Sequence, residues 1–167
     1  MGISNKIVPT NIDISILDDY NAWLLLAKEV EPLFGPMVED VDFQEALKKV
    51  LADKTAFCIN SDSDKIDKTI KGGIIISKES NEIAWFAVSK IYRGMGYGRA
   101  LLEFAIDNLN TKEDIFVQTF DKSISEGKAA RKLYLDFGFI DYKDGGLNPA
   151  GISTVIMKLA GSNTHCN

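Results

Sequence analysis

The stretch YRGMGYGR carries the residues whose types and spacing are best suited to chemistry. Gly94, Gly96 and Gly98 stand at alternate positions between Arg93 and Arg99, and an amphipathic helix follows directly. A bare backbone between a strand and a helix presents unpaired amides and the positive end of the helix dipole to an anion. The two arginines add positive charge at the rim. This segment, which we call the glycine loop, predicts an anion site with phosphate as the obvious guest.

A simple turn is the alternative explanation of the glycine loop. Three alternate glycines exceed what a strand-to-helix turn needs, and each costs conformational entropy, so the anion site is favoured. Nucleotide-binding loops fit less well. The spacing G-x-G-x-G differs from the G-x-G-x-x-G of dinucleotide folds, and neither Lys nor Ser or Thr follows the last glycine as a nucleotide P-loop requires.

The sequence offers little support for metal chemistry or for cysteine or histidine catalysis. Cys58 lies in an apolar run, Cys166 lies in the polar end of the chain, and His165 is the only histidine. Two cysteines of this kind make neither a disulfide framework nor a zinc site, and a lone histidine has no partner ligand. We therefore expect a site without metal.

The composition is typical of one ordinary globular domain. Of 167 residues, 46% are hydrophobic, so we predict a single domain over 1–167 with a flexible tail at 161–167. The formal charge of −5 disfavours nucleic acid as a partner and suits an amine substrate. The apolar runs are too short to span a membrane and no leader pattern opens the chain, so we expect a soluble, cytoplasmic protein.

Hydrophobic periodicity predicts mostly helix in the first third of the chain and mostly strand in the middle. Helices are expected at 18–30, 42–52, 98–109 and 126–138, with the segment EPLFGPM breaking the first. Strands are expected at 12–16, 55–60, 71–78, 82–89, 114–120, 139–144 and 153–160. The last two strands flank the segment GGLNPAG, which predicts a hairpin with a long tip.

The segment VSKIYRGMGYGRALL resembles the acetyl-CoA-binding segment of the GNAT superfamily of acetyl-CoA-dependent N-acetyltransferases. The core pattern of that family is Arg or Gln, two residues, Gly, one residue, then Gly or Ala, and Arg93, Gly96 and Gly98 fill it. Val88 stands where the family ends its fourth strand with an apolar residue. Lys90 stands where the family often has proline.

A second segment, EGKAARKLYLDFGF, is similar to the other motif of the family, a helix that closes in Gly-Phe. The matching positions are Ala130, Leu133, Tyr134, Gly138 and Phe139. The family frequently carries asparagine at the position of Gly127. Because glycine has no side chain, one common contact to the cofactor is expected to be absent here. The predicted order of elements around both motifs also fits the family.

The resemblance implies a fold class and a cofactor. The expected fold is α/β (α+β), a single-domain GNAT-like fold with a central mixed, mostly antiparallel sheet of about six to seven strands flanked by about four helices. The pantetheine arm of acetyl-CoA would lie between the splayed ends of two strands, near Val88 and near Phe120. The implied cofactor contacts are Phe86, Ala87, Val88, Arg93, Gly94, Met95, Gly96, Tyr97, Gly98, Arg99 and Tyr134.

The resemblance also implies catalytic roles. Tyr134 would act as the general acid that quenches the departing thiolate, and core packing against its helical neighbours is the alternative. Asp121 and Glu31 are the candidates for the base that takes the proton of the amine, although each is also a plausible solvated carboxylate. Phe34 and Met37 are candidate walls of the acceptor site, with a plain helix–helix turn as the alternative.

The leading function is therefore transfer of an acetyl group from acetyl-CoA to a primary amine of a small molecule or peptide, by direct attack in a ternary complex. The alternative from another class is a noncatalytic acyl-CoA-binding sensor module. A nucleotide-binding oxidoreductase is disfavoured by the glycine spacing. Dimers are common in proteins with this resemblance, so a homodimer is a further expectation, and the tip GGLNPAG could be a rim loop or a dimer contact.

Overall fold

The computed structural model describes residues 11–61 and 68–165, and within them the chain forms one seven-stranded mixed sheet flanked by four α-helices. The strands are β1 Asp13–Ile14, β2 Ala56–Asn60, β3 Ile70–Ser77, β4 Glu82–Val88, β5 Ile115–Phe120, β6 Ile140–Leu147 and β7 Ser153–Leu159. Their order is β1-β2-β3-β4-β5-β7-β6, and only β4 and β5 run parallel. The predicted fold class is confirmed.

The helices are α1 Tyr20–Phe34, α2 Val41–Ala52, α3 Tyr97–Asp107 and α4 Lys128–Asp136. Successive strand residues point to opposite faces of the sheet, so the core has two layers. Ile75 and Ala87 belong to the layer that packs against α1 and α2. Ile74 and Ile76 belong to the layer that packs against α3 and α4. A ligand bound at an opening in the sheet would therefore be bordered by α1 and α2 on one face and by α3 and α4 on the other.

The end of α1 differs from the expectation. We expected Pro32 and its neighbours to break the helix, yet α1 continues to Phe34 with Pro32 inside it. The helix ends at Gly35, whose φ of 103° only glycine adopts readily and whose amide donates to the Glu31 carbonyl at 2.8 Å. A proline removes one backbone donor, and packing of α1 on the sheet outweighs that loss.

The predicted tail begins too early. Gly161 donates to the Asp114 carboxylate at 2.9 Å, and the amides of Ser162 and Asn163 donate to carbonyls of the segment before β5. Gly161 also lies so close to Glu113 that a side chain there would overlap its backbone. Residues 161–163 are therefore bound to the segment 111–114 that precedes β5, and Cys166 lies outside the described residues.

In residues 11–61 and 68–165, no helix combines the length and apolar character that a membrane crossing requires. The same part of the chain has no group of three or more His, Cys, Asp or Glu side chains placed to share a metal ion. Cys58 is buried in β2, and burial raises the pKa of its thiol to about 11. A thiol that stays protonated at neutral pH is a poor nucleophile.

Candidate active site

The glycine loop joins β4 to α3 and leaves its amides unpaired. Gly94 and Gly96 have φ values of 75° and 88°, which residues with a Cβ rarely adopt. A Cβ at either position would meet no described atom within 4 Å, so the space around them is open. No described residue accepts a hydrogen bond from the amides of residues 94–99. Bare amides at a helix N-terminus fit an anion.

Lys71 adds a positive charge behind the glycine loop, and the sequence analysis missed it. The register between β2 and β3 shifts beside this residue, so Lys71 is the extra residue of a β-bulge. Its Nζ lies 3.2 Å from the Tyr97 hydroxyl and over the rings of Tyr92 and Tyr97, 5.5 Å and 5.0 Å from their centroids. The residue is only 7% exposed. The signal in the sequence that could have revealed Lys71 is a single lysine at the start of a predicted apolar strand.

The two arginines of the glycine loop are engaged with other parts of the chain. Arg93 Nε donates to the Val88 carbonyl at 3.0 Å, which folds the side chain back over the end of β4. Arg99 forms an ion pair with Asp136 of α4 at 3.0 Å and stacks on the Phe137 ring. Arg99 therefore ties α3 to α4, whereas we expected its charge at the rim of the anion site.

The sheet is open beside the glycine loop. Strands β4 and β5 pair only at Glu82 with Phe116 and at Ile83 with Val117. Beyond these pairs, β4 stays bonded to β3 and β5 stays bonded to β7, so the two strands separate. The second half of β4, with the expected cofactor contacts at 86–88, borders this gap. The predicted splay is therefore present, and an elongated ligand that reaches the glycine loop would run along it.

Tyr134 lies on α4, on the same side of the sheet as the glycine loop. It is 3% exposed, and its ring packs against Phe86 and Phe139 with centroid distances of 6.3 Å and 5.5 Å. Burial raises the pKa of the Tyr134 hydroxyl well above its usual value, so the phenol stays protonated. The contact with Phe86 places this phenol next to the strand that borders the gap. Tyr134 is a core residue whatever else it does.

Three aromatic rings meet on the opposite side of the gap, and we call them the aromatic slot. Phe34, at the end of α1, lies between Trp85 of β4 and Phe120 of β5, with both centroid distances 5.9 Å. Trp85 also packs against the buried Trp23 at 5.6 Å. The Nε1 of Trp85 is buried and has no hydrogen-bond partner among the described residues.

Glu31 and Met37 belong to the turn between α1 and α2. The Glu31 carboxylate accepts from the amides of Met37 and Val38 at 2.7 Å and 3.1 Å and pairs with Lys28 at 3.0 Å. These contacts, the Met37 amide first, lower the pKa of Glu31. Because these contacts engage the Glu31 carboxylate in holding the turn, they disfavour a role of Glu31 as the base. Met37 is 9% exposed and packs in the core, so it is not an open wall.

Asp121 follows β5 and lies on the side of β6 and β7. Its carboxylate accepts from the Ser123 amide at 2.9 Å, and this bond is the largest cause that lowers the pKa of Asp121. Together with Asp141 and Asp144 it lines a shallow depression over the last hairpin. The structure therefore places the two candidate bases, Asp121 and Glu31, in different surroundings, and neither has a described contact with Tyr134.

Gly127 has a packing reason that the sequence did not reveal. A Cβ at this position would lie 2.6 Å from Cβ and 2.9 Å from Cδ2 of Phe120. The backbone of Gly127 is otherwise ordinary, with φ of −91°. The Phe120 ring, which also contacts Phe34, therefore occupies the space that an asparagine side chain would need.

The tip of the β6–β7 hairpin is docked on the end of α1. Asn148 Nδ2 donates to the Leu33 carbonyl at 2.8 Å, and Asn148 Oδ1 accepts from the amides of Ala150 and Ile152. A Cβ on Gly35 would lie 2.6 Å from Cβ of Pro149. The tip therefore contacts its own chain next to the aromatic slot, as a rim loop does.

These features together describe a site with two sides. Unpaired amides and a buried lysine lie on one side of an opened sheet, and an aromatic slot lies on the other side. The gap between the parallel strands β4 and β5 connects these two sides.

The comparison with protein families agrees. A model of the family described as acetyltransferase (GNAT) domain matches residues 29–160, and the chain belongs to the GNAT acetyltransferase family. The matched segment contains the glycine loop, Tyr134 and all three rings of the aromatic slot. Among curated proteins, no sequence matches this chain.

Solved structures of the same fold are similar along almost the whole chain. A GNAT-family acetyltransferase from Bacillus cereus is 16% identical with a TM-score of 0.68, covering 91% of this chain and 97% of that one. The ribosomal-protein-S18-alanine N-acetyltransferase of Escherichia coli is 18% identical with a TM-score of 0.65, covering 92% and 94%. The PaiA N-acetyltransferase of Thermoplasma acidophilum, solved in complex with coenzyme A, is 17% identical with a TM-score of 0.62, covering 90% and 98%.

Proposed function

We propose that this protein transfers an acetyl group from acetyl-CoA to a primary amine by direct attack in a ternary complex. The observation that supports the proposal most is the set of unpaired amides in the glycine loop, placed beside the gap between β4 and β5. The acceptor approaches from the side of the aromatic slot. When bound, acetyl-CoA supplies an activated thioester, and the protein supplies binding, orientation and proton handling.

Binding of the diphosphate is assigned to the amides of Met95, Gly96, Tyr97, Gly98 and Arg99. The α3 dipole and the ammonium of Lys71 add positive potential at the same end of the helix. Phe86, Ala87 and Val88 border the pantetheine path, and main-chain N–H groups near Val88 are the proposed oxyanion donors.

Proton balance determines what the side chains must do. An alkyl amine has a pKa near ~10.4, so it must lose a proton to attack, and a second proton must leave the nitrogen as the amide forms. The departing thiolate takes up one proton. Tyr134 is the proposed donor to that thiolate, because its burial keeps the phenol protonated beside Phe86, and the second proton that leaves the nitrogen restores the phenol.

Asp121 is the first candidate for the base and Glu31 the second. Asp121 follows Phe120 of the aromatic slot and is partly exposed, so it can pass a proton to bulk water. The lowered pKa of Asp121 keeps its carboxylate ionised and makes it a weak base. A weak base holds a proton only briefly, which suits passing the proton on to water. Glu31 is second because two amides and Lys28 already engage its carboxylate.

The competing proposal is a noncatalytic acyl-CoA-binding module, and Tyr134→Phe separates the two. This variant keeps the ring that packs on Phe86 and Phe139 and removes only the hydroxyl. For an enzyme that uses this acid we expect kcat to fall by about 10²-fold while the Kd of acetyl-CoA is unchanged. Unchanged kcat would remove the assigned acid. An absence of acetyl transfer to any amine by wild-type protein that binds acetyl-CoA would favour the binding module.

Calorimetric titration with acetyl-CoA, with CoA and NAD as comparators, tests the cofactor proposal without knowledge of the acceptor. We expect saturable binding of acetyl-CoA and CoA but not of NAD. Gly96→Ala should weaken binding because a Cβ disfavours the loop conformation. Gly146→Ala is the matched control, since Gly146 has a similar φ of 72° and open surroundings but lies in β6. Folded protein that binds no CoA would refute the proposal.

The contribution of Lys71 is tested in the same titration. Lys71→Met keeps the buried aliphatic stem and removes the ammonium, and we expect affinity for acetyl-CoA to fall about tenfold, the value of one charged hydrogen bond. Lys49→Met is the control, because Lys49 is 75% exposed and pairs with Asp53 on α2. If the two variants bind acetyl-CoA with equal affinity, Lys71 does not contribute to binding of the diphosphate.

A further inference from the structure

Trp85 has a buried hydrogen-bond donor that the fold does not use. Its Nε1 has no partner among the described residues and is closed to solvent. The other tryptophan provides the contrast, because Trp23 is 1% exposed and its Nε1 donates to Ser15 Oγ at 3.0 Å, whereas Trp85 is half-buried and its Nε1 has no such acceptor. A buried donor without an acceptor is costly, and such exceptions in native structures call for an explanation such as a ligand.

The location of this donor indicates which ligand it serves. Trp85 packs with the core layer of α1 and α2, whereas Phe86, Tyr97 and Tyr134 belong to the layer of α3 and α4. The glycine loop and the proposed acid are thus on one side of the sheet, and the Trp85 indole is on the other. The indole therefore lies on the side that the proposed function gives to the acceptor.

The chemistry of an indole limits what can satisfy it. An indole N–H only donates, so its partner must offer a lone pair. The lone pair of the acceptor amine is consumed by attack on the thioester carbonyl and is not available to Trp85. Hence a second atom of the acceptor must accept this hydrogen bond.

We propose that Trp85 is a specificity-determining residue, whose indole N–H binds an oxygen that lies next to the amine of the acceptor. The other two rings of the slot, Phe34 and Phe120, are apolar and pack on each other, so they would contact an apolar part of the same molecule once Phe34 turns away from Trp85. The acceptor class is thus an amine that carries a neighbouring carbonyl or hydroxyl oxygen together with an apolar group. This inference depends on the proposed function and narrows its acceptor.

Phe34 is the residue that must move to admit such an acceptor. Of the two rings that pack on Trp85, Trp23 is 1% exposed and held by Ser15, whereas Phe34 is partly exposed and is the last residue of α1. Gly35 follows directly and ends the helix. A side-chain rotation of Phe34 exposes the indole, and changes of this size on binding are common.

The two indole N–H resonances of ¹⁵N-tryptophan-labelled protein provide the test. Three related amines are titrated into protein saturated with CoA: phenylalaninamide, phenylalaninol and 2-phenylethylamine, which share the ring and differ in the oxygen. We expect phenylalaninamide or phenylalaninol to move the Trp85 resonance downfield, 2-phenylethylamine to leave it unmoved, and Trp23 to be unaffected throughout. The two oxygen-bearing amines distinguish a carbonyl from a hydroxyl. Assignment uses Trp23→Phe and Trp85→Phe.

Three outcomes would overturn the inference. The Trp85 resonance could stay in place with both oxygen-bearing amines, it could move equally with 2-phenylethylamine, or acetyl-CoA alone could move it, which would assign the donor to the cofactor. Failure of the proposed function is a separate result, since it shows as absence of CoA binding by calorimetry. When CoA binds and only the Trp85 shift is missing, the acetyltransferase proposal stands and this inference fails.

Kinetics give a second readout. Trp85→Phe keeps an aromatic ring in the slot and removes the N–H group. We expect the ratio of kcat/KM for phenylalaninamide to that for 2-phenylethylamine to fall about tenfold in this variant, as for loss of one hydrogen bond. An unchanged ratio in a folded variant contradicts the inference.

Discussion

At the scale of single residues, close packing accounts for the lack of a side chain at Gly127. Gly127 stands where the family often has asparagine, and the Phe120 side chain occupies the space next to it. Phe120 in turn contacts Phe34 in the aromatic slot. The Phe120 side chain therefore fills the space that a side chain at position 127 would need.

Replacement of Gly127 by alanine is expected to destabilise the fold. The new Cβ would lie 2.6 Å from Cβ of Phe120, and such overpacking costs about 1–3 kcal/mol. Urea unfolding measures this cost. Gly98→Ala is the control, because a Cβ there meets its neighbours at 3.5 Å, an ordinary contact. The cost of Gly127→Ala should shrink in a Phe120→Gly background, which removes the Phe120 Cβ together with the ring, and an equal cost in both backgrounds would show that Phe120 is not the cause.

Glu31→Gln is expected to lower thermal stability at neutral pH without changing the pH profile of kcat/KM. The Met37 amide and Lys28 hold the pKa of Glu31 below its unfolded value, so its stabilisation is present above the unfolded pKa and is lost as pH falls through the folded pKa. The difference in Tm between wild type and variant should therefore vanish in acid.

Glu45→Gln is the control for that experiment, since the Glu45 side chain is 69% exposed and pairs only with Lys48. Loss of the acid limb of the kcat/KM profile in Glu31→Gln would instead make Glu31 the base. The same profile for Asp121→Asn tests the first candidate.

At the scale of elements, the side of the sheet that carries the aromatic slot is bounded by contacts between parts distant in sequence. The end of α1 meets the tip of the β6–β7 hairpin through Asn148 and Leu33, which are 115 positions apart. The two ends of Asn148 have separate tasks, because Oδ1 closes the turn while Nδ2 bridges to α1. One substitution can therefore release the tip without unfolding it.

Asn148→Asp keeps the oxygen that accepts from Ala150 and Ile152 and removes the donor to the Leu33 carbonyl. We expect the KM of the acceptor to rise several-fold because the rim of the slot loosens, with the Kd of acetyl-CoA unchanged on the other side of the sheet. Steady-state kinetics and calorimetry measure the two quantities. A change in acetyl-CoA affinity of the same size would mean that the tip supports the whole gap and not the acceptor side alone.

At the scale of the whole molecule, acetyl-CoA should stabilise the fold if it binds the folded chain and not the unfolded one. Acetyl-CoA at about 100 times its Kd adds about 2.7 kcal/mol by mass action, or roughly 5–10 °C in Tm for a chain of this size. NAD at the same concentration should leave Tm unchanged, and a shift with both ligands would indicate nonspecific binding. Homodimerisation and the single-domain organisation stay predictions; light scattering at graded concentrations tests the first.

The sequence by itself determined the sheet and helices, the glycine loop and the family, because each is encoded in local periodicity and in residues a few positions apart. Helix α1 was the main error: a proline breaks an isolated helix, but burial of α1 on the sheet holds it together to Gly35. The family resemblance led us to expect the splay of β4 from β5, whereas the tertiary structure alone decided the place of Lys71 behind Tyr97 and the unpaired indole of Trp85. These features depend on contacts between segments tens of residues apart, whose geometry no local pattern specifies.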